Sequence, residues 1–162
     1  MSNVELREAI RGVDCFQGIH EDDLEQVAKM GHAMDVAANE TVFREGDPAV
    51  SSYVVVSGTL SLEVCAPGVG CRRISTIRDQ EFLGWSPVLD NFHLTVTART
   101  VTATQLIEFP KDELLALCDR SPHFGYVFMR GVAQTLARRL SAARMQLLDL
   151  FGDEAETNTA DG

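Results

Sequence analysis

A mainly β domain with helical segments at both ends is what this sequence predicts, and three observations carry the expectation. Residues 41–64, TVFREGDPAVSSYVVVSGTLSLEV, are short runs of β-branched and aromatic residues punctuated by Gly46 and Gly58. Alternation, in which one side chain in two points inward, recurs at residues 59–64 and 94–99. Before Ala33 and after Pro110 the pattern changes to helix caps and apolar residues at helical spacing. Short strands at this spacing read as an all-β sandwich or roll with helices laid against it.

In chain order, Ser2 with Glu5 three residues on reads as a capping box that starts a first helix. Asp22 and Asp23 put negative charge on the first turn of a second helix, which Gly31 closes. Leu24, Val27 and Ala28 share one face of it, with Phe16 and Ile19 in the preceding turn, so this segment is expected to pack on the β domain. Gly46 lies in Glu45-Gly46-Asp47-Pro48, a turn in which a residue free to take positive φ is followed by a proline. Gly58, between YVVVS and TLSLEV, predicts a tight hairpin. The APGVG stretch between Cys65 and Cys71 predicts a surface hairpin tip with the two cysteines facing one another across the ladder.

After Pro110, residues 111–118 predict a short helix, and Ser121-Pro122 starts another that runs to about Phe151. That helix spans roughly 40 Å at ~1.5 Å per residue, longer than a small barrel needs for cover. Met129, Ala133, Leu136, Leu140, Ala143, Leu147 and Leu150 follow one another at spacings alternating between 4 and 3, a heptad seam that predicts a parallel homodimer. Val132, Met145 and Leu148 form a second stripe, expected to rest on the chain's own β domain. Residues 152–162, with four acids, no base and no large apolar group, are expected to be disordered.

Composition sets the outer bounds. A chain of 162 residues, 45% hydrophobic, predicts one domain rather than two. A net charge of −10 opposes a phosphate backbone, so no direct nucleic-acid partner is expected. The N-terminus has no apolar core of a signal peptide and no window approaches the ~18 apolar residues of a membrane span, which predicts a cytoplasmic protein off the membrane. Cys15, Cys65, Cys71 and Cys118 contain no CxxC pair, so free thiols are expected rather than zinc ligation or a thioredoxin-like site. His20, His32, His93 and His123 are scattered, and no nucleophile elbow, P-loop or HExxH helix is present. Neither an enzyme nor a metal site is expected.

The glycine spacing of residues 41–64 resembles the opening of the cyclic nucleotide-binding domain, as in the effector domains of the Crp/Fnr superfamily. The resemblance implies a β-roll of the double-stranded β-helix or jelly-roll kind, with N-terminal helices and a long C-terminal helix. It also implies a cassette, Gly-Glu-x-Ala followed by Arg-Ser/Thr-Ala, whose backbone amides and arginine hold a cyclic phosphate while the glutamate accepts from the ribose. Aligned back from Leu106 and Ile107, Gly84 falls on the cassette glycine, Thr95 on its Ser/Thr and Arg99 on a basic position just beyond. Trp85 stands at the glutamate position and Leu94 at the arginine position. Losing the partner of a desolvated charge commonly costs about 2–5 kcal/mol, so ordinary cyclic AMP is not the expected ligand.

Two readings follow for this GWS-type cassette. In one, Trp85 stacks on a planar ligand while Ser86 and Thr95 hydrogen-bond it, with Gly84 and Leu94 completing the site and Arg144 reaching in from the last helix. In the other, Trp85 and Leu94 plug the pocket as core residues. The first makes the chain a stand-alone bacterial ligand sensor, a regulatory domain in signal transduction that takes a cyclic nucleotide or other small organic molecule and acts through a partner protein. The second makes it a ligandless scaffold for protein interaction. Superfamily regulators carry a DNA-reading domain after the long helix, whereas eleven residues follow Phe151 here, so action through another protein is expected.

Overall fold

The computed structural model describes the backbone of residues 1–89 and 92–157, with side chains as far as Asp149. Strands β1 (His32–Val36), β2 (Thr41–Phe43), β3 (Ser51–Ser57), β4 (Leu60–Ala66), β5 (Gly70–Ile77), β6 (Phe82–Leu83), β7 (Thr97–Thr100) and β8 (Thr104–Pro110) form two antiparallel sheets. Their orders are β1-β8-β3-β6 and β2-β7-β4-β5. Helices α1 (Asn3–Arg11) and α2 (Glu21–Met30) precede the roll, and α3 (Lys111–Arg120) and α4 (Pro122–Thr157) follow it. The predicted β-roll with helices at both ends is therefore the observed architecture.

Local chemistry accounts for the helix starts. Ser2 accepts from the Glu5 amide at 3.3 Å while the Glu5 carboxylate accepts from the Ser2 amide at 2.6 Å, which completes the capping box. The Ser121 hydroxyl accepts from the Phe124 amide at the head of α4.

Two cores lie on opposite faces of the first sheet. Inside the roll, Phe43, Tyr53, Val55, Leu60, Ile77 and Leu106 pack together. On the outer face, Val54 and Ile107 meet α1–α4, so β3 is buried on both sides, which is why YVVV reads as a continuous apolar run. Phe16, in a 3-10 turn between α1 and α2, centres the outer core. Its ring lies 5.3 Å from Phe128, 5.9 Å from Phe109 and 6.1 Å from Phe82. The helix backbone comes close enough here that a Cβ on Gly131 would lie 2.4 Å from Cys15 Cα.

Three local expectations are corrected by the tertiary structure. Gly58 does not make a hairpin: β3 and β4 belong to different sheets, and Gly58 turns the chain from one to the other. It does so at φ +109°, where a Cβ would lie 2.5 Å from Thr104 Oγ1, so only glycine fits the corner. The alternation at 94–99 becomes strand only from Thr97, because Leu94 instead exchanges backbone hydrogen bonds with the Gly46 turn. Helix α4 continues past Phe151 to Thr157, through residues of which alanine and glutamate are good helix formers; residues 158–162 lie outside the described residues.

Cysteines 65 and 71 are not free. They are register partners on β4 and β5, with Cα atoms 4.0 Å apart, and form a disulfide around the predicted hairpin tip. Cys15 is buried and Cys118 half-buried, both as free thiols. Burial, and secondarily the neighbouring Asp119, pushes the Cys118 thiol up to about 11, so it is slow to react in the native state. Alkylation of the denatured, air-purified protein, read by mass spectrometry, is expected to modify two cysteines before reduction and all four after. Four before reduction would contradict the bridge.

Candidate functional site

The cassette positions come together at the end of the roll, but they enclose almost no space. Gly84 follows β6, and its carbonyl accepts from the Ser52 hydroxyl at 2.6 Å. Ser86 opens a 3-10 turn and is buried, as is Leu94. The Leu94 amide donates to the Asp47 carbonyl at 2.9 Å, and its carbonyl accepts from the Gly46 amide at 2.8 Å. Thr95 is exposed. The cavity among Gly84, Trp85, Ser86, Leu94 and Thr95 measures about 20 Å³, space for a water rather than a nucleotide. Leu94, at the position where the resemblance implies an arginine, belongs to the interior core.

A far larger cleft opens beside it. It measures about 700 Å³ and shares Leu62, Trp85 and Val96 with the small cavity. Its floor is β5 from Arg73 to Thr76, and its other wall is α4, through Arg139, Ala142, Ala143, Gln146 and Leu147. Trp85 is half-buried between the two spaces. The Arg139 guanidinium lies 4.4 Å above its ring, a cation–π contact. Arg139 Nη2 donates to the Phe82 carbonyl at 3.3 Å, whereas Nη1 is buried with no hydrogen-bond partner among the described residues. Burial lowers the Arg139 pKa from its ordinary value, with Glu81 pulling the other way. A guanidinium starts so high that it stays charged.

The residues expected to join the site divide sharply. Gly84, Trp85, Ser86, Leu94 and Thr95 converge on the small cavity, with Trp85 alone of these also facing the large cleft. Arg144 is exposed and lines neither space. Arg99 turns outward, donating to the Asn39 carbonyl at 3.2 Å and lying 3.9 Å from Glu63. His93 is likewise exposed.

The arginine that enters is Arg139, not Arg144. A signal for it exists. Phe124, Phe128, Val132 and Arg139 recur at helical spacing, so Arg139 continues the stripe that the aromatic residues bury.

Along α4 the proposed seam splits. Met129 and Leu136 pack partly against the outer core, while Ala133, Leu140, Ala143 and Leu147 are exposed; the Leu150 side chain lies outside the described residues. Val132 rests on the chain's own core as expected, but Met145 and Leu148 do not, being 59% and 62% exposed. At about 100° per residue both fall on the side of the helix opposite Val132 and Arg139.

Comparison with known proteins decides the family. The model of the cyclic nucleotide-binding domain matches residues 33–121, more than half of the chain. The chain belongs to the cyclic nucleotide-binding domain family. Among curated members it is 24% identical over 146 residues to a CRP-like cAMP-activated global transcriptional regulator of Mycobacterium tuberculosis, covering 90% of this chain and 63% of that protein. It is 25% identical to the cyclic AMP receptor protein of Thermus thermophilus, covering 93% of this chain and 68% of the other. A solved cyclic nucleotide-binding domain from Methylobacillus flagellatus superposes with a TM-score of 0.78 at 16% identity, covering 91% of this chain and 83% of that one. The cyclic nucleotide-binding family match spans β1 to α3, so residues 84–95 lie within it and α4 beyond it. Among the described residues no helix is long and apolar enough to cross a membrane, and no group of three or more His, Cys, Asp or Glu is placed to hold a metal ion.

Proposed function

We propose that this chain is a ligand-sensing regulatory domain whose small molecule seats in the cleft between α4 and β5, not in the cassette. The observation that carries the reading is the contrast in space: about 700 Å³ beside α4 against about 20 Å³ at the cassette. A ligand in the cleft touches the roll and the long helix at once, and so favours one position of α4 over another. The exposed shoulder of α4 at Ala133 and Leu140 then transmits the change to a second copy of the chain in a homodimer, and from there to a partner protein. This is a binding and signalling role without catalysis, exercised in the cytoplasm. A ligandless scaffold is the competing reading, favoured by the collapsed cassette.

Trp85 separates the two, because it is the only tryptophan and stands in the wall of the cleft. An open cleft is expected to leave its emission red-shifted and accessible to acrylamide. Blue-shifted, protected emission would remove the sensor reading in favour of the scaffold. In parallel, titration calorimetry with cyclic AMP and cyclic GMP is expected to show no binding at micromolar concentrations, since Trp85 and Leu94 supply neither a carboxylate nor a guanidinium. Micromolar affinity for either nucleotide would show that the cassette alignment is wrong or that another arginine, such as Arg144, reaches the phosphate.

A further inference from the structure

The cleft has an electrostatic character that narrows what it can hold. Its lining is largely apolar, with Leu62, Ile74, Val96 and Leu147 among its walls. Among the described residues, the charged side chains that line it are both arginines, Arg73 on β5 and Arg139 on α4. Glu81 is close enough to raise the Arg139 pKa, but it lies outside the lining and makes no ion pair with Arg139. Arg139 is held from two sides, by the Trp85 ring beneath it and the Phe82 carbonyl at Nη2, which leaves Nη1 buried and unpaired.

A buried guanidinium with one nitrogen unpaired is costly, and an anion placed against it recovers part of that cost through charge. A neutral apolar ligand would leave it unpaid. A polyanion such as a nucleoside triphosphate would bring more charge than one buried guanidinium neutralises, together with hydrophilic surface that apolar walls would desolvate without compensation. A single anionic group on a flat apolar body satisfies both parts of the lining, with the body against Trp85, Ile74 and Leu147 and the anion facing the Arg139 guanidinium. Resting on the reading of the cleft as a ligand site, we propose that the ligand class is an amphipathic aromatic monoanion, a carboxylate or sulfonate on a planar apolar frame, with Arg139 as its charge partner.

The test uses the whole chain and two probes of nearly the same apolar body, 8-anilinonaphthalene-1-sulfonate, which is anionic, and N-phenyl-1-naphthylamine, which is neutral. Fluorescence titration of the wild-type protein is expected to show both binding at one site, the anion at least tenfold more tightly. Arg139→Met should erase that preference by weakening the anion tenfold or more while leaving the neutral probe within about twofold. Arg139→Lys, which keeps the charge, should retain part of it. Ala142→Trp, which fills the cleft from α4, should abolish both. Equal affinity of the two probes for the wild type would overturn the anion assignment alone and needs no variant to fold. Failure of both probes to bind, or binding untouched by Ala142→Trp, would overturn the cleft as a ligand site as well.

Discussion

Replacing Phe128 with alanine is expected to lower unfolding stability by about 3–5 kcal/mol, the range for deleting a fully buried phenyl ring. Phe128 is 0% exposed, and its ring meets Phe16 at 5.3 Å, Phe124 at 5.5 Å and Phe82 at 5.6 Å. One substitution therefore opens a cavity at the point where α4, the 3-10 turn before α2 and the first sheet come together. Close approach at Gly131, one turn along, leaves the helix little freedom to slide and close it. Denaturant unfolding is the measurement, with Tyr126→Ala beside it. Tyr126 is 65% exposed on the same helix and should cost within about 0.5 kcal/mol. Equal losses for the two would show that α4 is not anchored through the phenylalanine cluster.

The second large effect is on assembly. Leu140→Asp is expected to convert a homodimer into a monomer, because it places a carboxylate where Leu140 would be desolvated against its twin, at a cost of several kcal/mol. In the single chain Leu140 is 54% exposed, so the same substitution should leave folding of the monomer nearly unchanged. That separation makes sedimentation velocity decisive when paired with thermal melts over a range of concentrations: the expected result is a monomer that still melts cooperatively, at a midpoint lowered only by the lost association and independent of concentration. A wild-type monomer at tens of micromolar would remove the dimer, and with it the route proposed from cleft to partner. Ala143 and Leu147 line the cleft, and Leu140 lies on the neighbouring shoulder of α4, so one helix offers both a ligand wall and a docking face.

Much of this protein is local and legible in the sequence. The capping box at Ser2 and Glu5, the Gly31 helix end, the hairpin tip after Cys65 and the start of α4 at Pro122 depend on backbone geometry within a few residues, and side-chain type reports that geometry directly. That Trp85 is no carboxylate and Leu94 no guanidinium is likewise plain from residue identity. What the tertiary structure alone decided is long-range. Gly58 looks like a hairpin until β3 and β4 are seen in different sheets, since a tight turn and a corner between sheets both call for positive φ. Cys65 and Cys71 become a pair through the register of β4 on β5. Arg139 and Arg144 differ little as letters on one helix. Their roles diverge because Arg139 continues the stripe that Phe128 and Val132 press onto the roll, whereas Arg144 is turned to solvent. Periodicity states that a helix has an inner side, and only packing against a particular wall determines which charge is buried there.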